Sequence, residues 1–139
     1  MNKDKFKILV ADDFDTMIKI IKNILDELGY RNIITARNGE IAWGILERER
    51  IDFIISDWNM PVMTGYELLR RVKDPASRFS HIPFLMVTAE AEKSHIIDAV
   101  KGGVNQYIIK PFTSDMLKEK IDNAIRHQEK VLANKKAAK

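Results

Sequence analysis

Four short apolar runs in this sequence each end in a charged or hydroxyl-bearing residue. The residues that follow these runs are Asp12 with Asp13, Asp57, Thr88 and Lys110. Short uninterrupted apolar runs between helical patterns are typical of buried strands in a parallel sheet. In such sheets, ligands bind beyond the carboxyl ends of the strands. We therefore expect three carboxylates, a hydroxyl group and an ammonium group to converge at one edge of a sheet.

The spacing of apolar residues predicts five strand–helix repeats in a single domain. The predicted strands span 6–11, 32–36, 52–57, 83–87 and 106–110, and the predicted helices span 14–28, 40–49, 66–73, 93–101 and a segment that starts after Ser114. Strict alternation with short connections predicts an α/β fold, a doubly wound parallel sheet with helices on both faces. This pattern leaves the strand order open. We assign residues 1–127 to the domain and 128–139 to a basic tail that either extends the fifth helix or is disordered.

The charge distribution argues against nucleic-acid binding. The formal net charge of the 139 residues is +3, and the segment from Arg126 onward alone carries a net charge of +4. The rest of the chain is therefore slightly acidic, and it contains no base-reading or stacking motif. The sequence has no cysteine, which excludes disulfides and thiolate chemistry. Because there is no long apolar stretch or signal-peptide pattern, we expect a cytoplasmic protein without membrane contact.

The three aspartates allow two interpretations. Asp12 and Asp13 could simply cap the helix that follows them, since carboxylates favour helix N-termini. Asp57 is harder to explain in that way, because a carboxylate at the end of a fully apolar strand is unfavourable without a partner. A third acid at the same edge increases the repulsion unless a cation is present. Oxygen ligands of this kind suit Mg²⁺, which retains several waters and needs few carboxylates.

Thr88 and Lys110 would add a hydroxyl donor and a fixed positive charge beside the acidic residues. These groups suit a phosphoryl group, because phosphoryl transfer is catalysed mainly by positioning and charge neutralisation. An aspartate can be the covalent acceptor, and Asp57 is the most central of the three in the predicted sheet. Taken singly, Thr88 could be an ordinary strand residue and Lys110 a solvated strand end. Their joint placement favours the phosphoryl site.

These residues resemble the receiver domain of bacterial two-component response regulators. The matching pattern is Asp12-Asp13, Asp57, Thr88 and Lys110-Pro111, and the resemblance covers residues 6 to 127. The longer strings 12–14, 57–61, 86–91 and 110–113 are similar to the chemotaxis subgroup of this family. The resemblance implies a flavodoxin-like fold with strand order 2-1-3-4-5.

The resemblance also implies a role for each site residue. Asp57 would accept the phosphoryl group from a sensor histidine kinase of the chemotaxis type. Asp13, Asp57 and the backbone carbonyl of Asn59 would bind Mg²⁺, with Asp12 acting largely through water. Thr88 and Lys110 would contact the phosphoryl oxygens. The Lys110–Pro111 peptide bond is similar to one that is cis in the family, and a cis bond costs little only before proline.

The implied output is a protein-binding face that responds to phosphorylation. Thr88 and Tyr107 would act as the switch, with Tyr107 moving inward when Thr88 is drawn to the phosphoryl group. The implied output face consists of Ala91, Lys93, Ile96, Tyr107, Ile109 and Lys120. Its partner would be a flagellar motor switch protein or another protein target, and the presence of an auxiliary phosphatase as a further partner is left open. We expect a monomer that is not an enzyme but assists its own phosphorylation and dephosphorylation.

Other functional classes fit the residues less well. A phosphatase of the haloacid-dehalogenase type needs an acid two residues after the nucleophile, and that position is Asn59. A flavin phosphate would be repelled by Asp12 and Asp13, and it requires a site formed by backbone N–H or hydroxyl groups. Two alternatives to motor control remain open within the family. The chain could be a single-domain relay receiver in another phosphorelay, or a receiver fragment of a larger regulator.

Overall fold

The computed structural model describes residues 1–89 and 93–137, together with the backbone but not the side chain of Lys93. In these residues, one parallel five-stranded sheet is flanked by five helices. The strands are β1 (Lys7–Ala11), β2 (Asn32–Ala36), β3 (Phe53–Asp57), β4 (Phe84–Thr88) and β5 (Gln106–Ile109). The helices are α1 (Asp15–Glu27), α2 (Gly39–Arg48), α3 (Gly65–Lys73), α4 (Lys93–Lys101) and α5 (Ser114–Ala137).

The sheet has the strand order β2-β1-β3-β4-β5. This order confirms the predicted α/β class and the flavodoxin-like order that the family resemblance implies. The predicted boundaries of the first nine elements lie within one residue of the observed ones. The fifth helix is continuous to Ala137, so the described part of the basic tail is helical. Within the described ranges, no helix has both the length and the apolar character that are needed to cross a membrane.

Two apolar layers cover the two faces of the sheet. Along β1, Leu9 packs in the layer that contains residues of α2, α3 and α4, whereas Ile8 and Val10 pack in the layer of α1 and α5. All three side chains are fully buried. Because successive strand residues point to opposite faces and both faces are covered, the strands read as unbroken apolar runs. With both faces covered, polar groups can gather at the carboxyl ends or the amino ends of the strands, which we call the two edges of the sheet.

A cluster of polar side chains lies at the amino ends of β4 and β5, at the edge opposite the acidic residues. We call Lys73, Asn105, His127 and Gln128 the amino-edge cluster. The Lys73 ammonium group and the Asn105 amide both donate to Gln128 Oε1, at 3.0 and 2.8 Å. Asn105 Nδ2 also lies 2.9 Å from His127 Nδ1. These contacts join the second half of α5 to α3 and to the segment that precedes β5.

The amino-edge cluster predicts a pH dependence of stability. Burial, and secondarily the charge of Lys135, lowers the pKa of Lys73 from 10.5 to about 7. Between these values the unfolded chain retains a proton that the folded protein releases. The free energy of unfolding should therefore rise from pH 7 towards pH 10. Chemical denaturation should show a smaller rise in Lys73→Met, and Lys136→Met, which removes an exposed lysine, should keep the wild-type slope. Equal slopes in all three proteins would contradict this prediction.

Candidate phosphoacceptor site

The register of the sheet brings the predicted site residues to one edge. Ala11 pairs with Ser56 in the adjacent strand, so Asp12 and Asp57 follow neighbouring positions of β1 and β3. Two backbone hydrogen bonds continue the ladders of β1 with β2 and of β3 with β4 at this edge: Asp12 N–H donates to Ala36 O, and Trp58 N–H donates to Val87 O, both at 3.0 Å. Strand pairing therefore fixes the backbone positions from which the side chains of Asp12 and Asp57 extend.

Three carboxylates converge at this edge. One oxygen from each of Asp12, Asp13 and Asp57 lies within 4.8 Å of the others. Asp12 is fully buried and Asp57 is 6% exposed. Asp12 Oδ1 accepts a hydrogen bond of 2.9 Å from Phe14 N–H. Among the described residues, no group donates a hydrogen bond to Asp12 Oδ2 or Asp13 Oδ1. A set of hard oxygen atoms with free lone pairs fits a divalent cation such as Mg²⁺.

The ammonium group of Lys110 lies between two of these carboxylates. Its Nζ atom is 3.3 Å from Asp57 Oδ1 and 3.6 Å from Asp12 Oδ2. Burial, and then the charge of Asp12, raises the pKa of Asp57 from 3.8 to about 6, although Lys110 acts in the opposite direction. Burial is also the main cause of the raised pKa of Asp12. One lysine therefore compensates only part of the negative charge, and a bound cation would favour the ionised form of Asp57.

Thr88 ends β4 beside this acidic site and is 3% exposed. It pairs with Ile109 of β5, and Lys110 N–H donates to Thr88 O at 2.8 Å. The Lys110–Pro111 peptide bond is cis, as the resemblance implies. A small cavity behind Thr88 is also lined by Tyr107 of β5 and by Ile96 of α4. Thr88 therefore borders both the acidic site and the space next to the expected switch residue.

The residues of the implied output face are only partly described. Ile96, Tyr107, Ile109 and Lys120 are half-buried and lie on α4, β5 and α5. The Lys120 ammonium group lies over the Tyr107 ring at 5.3 Å from its centroid. Ala91 and the side chain of Lys93 lie outside the described residues. Asn59 is exposed and lies two residues after Asp57, in the segment between β3 and α3.

Gly65 supports the acceptor strand in a way that the sequence analysis did not identify. A Cβ atom at Gly65 would lie 1.8 Å from Asp57 O, so no other residue fits without backbone movement. Gly65 N–H also donates to Trp58 O at 2.8 Å. This close approach seats the start of α3 against the end of β3. A glycine near a predicted helix start was the available signal, but the sequence does not show which backbone atoms it meets.

An aromatic stack also joins the acceptor strand to α3 and α4. The Trp58 ring is stacked with Tyr66 at a centroid distance of 5.0 Å and with His95 at 4.6 Å. Trp58 follows Asp57 directly and is 9% exposed. Its fluorescence should therefore respond to changes at the acidic site. The stack joins residues far apart in the chain, so helical or strand periodicity could not predict it.

Comparison with protein families and known proteins identifies the family of this chain. The family model of the response regulator receiver domain matches residues 8–122. The chain is 52% identical over 116 residues to the chemotaxis protein CheY of Pseudomonas aeruginosa, which covers 84% of this chain and 93% of that protein.

Solved structures show the same architecture. The chemotaxis response regulator CheY4 of Vibrio cholerae has a TM-score of 0.77 and 30% identity, over 86% of this chain and 98% of that one. The receiver domain of a sensor histidine kinase of Pseudomonas aeruginosa, solved with a magnesium ion coordinated in its active site cleft, also has a TM-score of 0.77, at 29% identity. That match covers 86% of this chain and 97% of the kinase receiver. On these grounds, the chain belongs to the family of response regulator receiver domains.

Proposed function

We propose that this protein is a cytoplasmic response regulator that accepts a phosphoryl group on Asp57 from a sensor histidine kinase. The observation that carries this proposal is the convergence of Asp12, Asp13 and Asp57, with the Lys110 ammonium group between Asp12 and Asp57. Residues 1–127 would form the receiver, and the remainder of α5 would be an addition to it. The similarity to chemotaxis proteins supports a role in chemotaxis, and the family supports a signalling protein rather than an enzyme.

Asp13, Asp57 and the carbonyl group of Asn59 would bind the magnesium ion, with Asp12 acting largely through water. This assignment is supported by Asp12 Oδ2 and Asp13 Oδ1, which accept no hydrogen bond from the described residues. When bound, Mg²⁺ supplies positive charge that offsets both the carboxylates and the phosphoryl oxygens. The side chains of Lys110 and Thr88 would hold the phosphoryl oxygens from the other side.

In the proposed transfer, a carboxylate oxygen of Asp57 attacks the phosphorus atom of a phosphohistidine. An O–P bond forms while the N–P bond breaks, and the electron pair of that bond returns to the imidazole, which takes a proton from solvent. Later attack of water on the phosphorus atom would restore the Asp57 carboxylate and release inorganic phosphate. Lys110 contributes by neutralising charge at a fixed position, and such preorganised electrostatic contacts are a major source of catalysis.

We expect Mg²⁺ to bind with a dissociation constant of roughly 0.1 to several millimolar, because few protein ligands are available. Titration should quench Trp58 fluorescence in a saturable manner, and Asp13→Ala should abolish the effect. Binding should be weaker below pH 6 than at pH 8, because protons compete for Asp57, whose pKa is raised to about 6. An unchanged titration curve in Asp13→Ala would contradict the metal assignment.

We expect acetyl phosphate with Mg²⁺ to add one base-labile phosphoryl group to the protein. A small donor should suffice because the site itself positions and neutralises the group. Intact mass analysis should show the addition in the wild type and none in Asp57→Asn. Asp52→Asn, which changes a carboxyl group at the start of the same strand segment, is the matched control and should be labelled normally. Label on a serine, threonine or histidine residue would rule out the proposed acceptor.

The proposed signal leaves the site through Thr88 and Tyr107. Contact of the Thr88 hydroxyl with a phosphoryl oxygen would draw its side chain towards the acidic site and enlarge the small cavity behind it. Tyr107 borders this cavity and could then move inward. Packed interiors tend to have discrete arrangements, so a small displacement can change a surface. The affected surface would be the implied output face on α4, β5 and α5.

Two kinds of output are compatible with such a face. The similarity of the chain to chemotaxis proteins favours control of the flagellar motor. The protein would then bind a flagellar motor switch protein as a monomer. The alternative is a relay receiver that transfers its phosphoryl group or binds another target. With the phosphoryl mimic beryllofluoride, we expect a monomer by sizing chromatography and tighter binding of a motor-switch peptide. An activated dimer that does not bind the peptide would overturn motor control but leave the acceptor assignment intact.

A matched pair of variants should locate the binding face. Lys120→Ala removes the ammonium group that lies over Tyr107, and we expect it to weaken peptide binding roughly fivefold, or about 1 kcal/mol. Lys118→Ala removes an exposed lysine from the same helix and should bind as the wild type does. Equal loss of affinity in both variants would indicate general electrostatic attraction instead of a defined face.

A further inference from the structure

Another cavity, bordered by both polar and apolar groups, lies at the edge of the sheet opposite Asp57. It has a volume of about 180 Å³ and is bordered by the amino-edge cluster and by Lys135 of α5. Four of its lining residues lie beyond the segment 8–122 that matches the receiver family, namely His127, Gln128, Val131 and Lys135. The cavity therefore depends on the part of α5 that is additional to the family pattern.

The hydrogen bonds fix the orientation of the polar groups in this cavity. Phe84 N–H donates to Asn105 Oδ1 at 2.8 Å, so the other end of the Asn105 amide is its NH₂ group. That group can only donate, and its contacts are Gln128 Oε1 at 2.8 Å and His127 Nδ1 at 2.9 Å. His127 Nδ1 must therefore accept, and the imidazole carries its hydrogen atom on Nε2.

The acceptor groups of the amino-edge cluster are already used. Besides Gln128 Oε1, the Lys73 ammonium group donates to Ile82 O at 2.7 Å and to Ser80 O at 3.1 Å. Gln128 Oε1 accepts from both Lys73 and Asn105. The groups that remain for a ligand are donors: His127 Nε2–H, the Gln128 amide NH₂ and the Lys135 ammonium group.

The charges around the cavity have one sign. Lys73 and Lys135 are both basic, and the described residues that line the cavity include no carboxylate. The charge of Lys135 opposes protonation of Lys73, and burial opposes it more strongly. A cation would increase this repulsion, whereas an anion would reduce it and could accept hydrogen bonds from donors on the lining residues.

We propose that this cavity binds one small oxyanion of the phosphate class, held by Lys135, His127 and Gln128 above the Lys73 ammonium group. The ligand is either free inorganic phosphate or the phosphate group of a small phosphomonoester. The proposal is independent of the function proposed for Asp57, because the two sites share no residue and this one requires no metal ion. An anion bound here would hold the second half of α5 against α3 and the starts of β4 and β5.

Isothermal titration calorimetry with inorganic phosphate tests the proposal, with EDTA present and ionic strength held constant with chloride. We expect saturable one-to-one binding by the wild type and by Asp57→Asn. Lys135→Gln should weaken binding about tenfold, since a charge-assisted hydrogen bond is lost. Lys136→Gln, which changes the adjacent exposed lysine, should bind as tightly as the wild type. Both lysines are exposed, so neither change threatens folding.

A parallel titration with glycerol 3-phosphate distinguishes the two ligand sources. Tighter binding of the ester supports a phosphomonoester, and tighter binding of inorganic phosphate supports the free anion. Amide chemical shifts should change around His127 and Gln128 and stay constant around Asp12 and Asp13. The proposal is overturned by no binding at millimolar phosphate, by equal loss in Lys135→Gln and Lys136→Gln, or by shift changes confined to the acidic site.

Discussion

The ammonium group of Lys110 is the interaction on which the acidic site depends. It lies 3.3 Å from Asp57 Oδ1 and 3.6 Å from Asp12 Oδ2, in a place where both carboxylates are buried. Without a cation, two buried carboxylates whose oxygens lie within 4.8 Å of each other would repel each other and favour their protonated forms. Lys110 reduces this repulsion but does not remove it, since the pKa of Asp57 is still raised to about 6. The remaining negative charge is what makes the site suitable for a divalent ion.

The fold and the location of this site could be predicted because they follow from local patterns. Unbroken apolar runs identify strands that are buried on both faces, and parallel strands bring their carboxyl ends to one edge. Asp12, Asp57 and Lys110 each follow such a run directly. Their proximity therefore required no knowledge of side-chain packing. The strand order did require it, and the family resemblance supplied that order.

The features that could not be predicted depend on contacts between distant parts of the chain. The aromatic stack joins Trp58 to residues of α3 and α4, and the amino-edge cluster joins Lys73 to Gln128. Neither pairing leaves a periodic signal in the sequence. The continuation of α5 to Ala137 was one of two alternatives, because the tail has no apolar stripe that would require a helix. Hydrogen bonds to Gln128 supply the tertiary contact that such a helix needs.

The length of α5 has a mechanical consequence. Its 24 residues form a rod about 36 Å long, which starts just after the cis Lys110–Pro111 bond and ends beyond the opposite edge of the sheet. Pivoting this rod at its first turn by about 5° would move its last turn by about 3 Å. The helix is thus long enough to work as a lever, and the amino-edge cluster holds it at His127 and Gln128, about 20 Å from its start. The strength of the hydrogen bonds in this cluster would then determine whether a displacement at the phosphoacceptor edge bends the helix or rotates it as a rigid body.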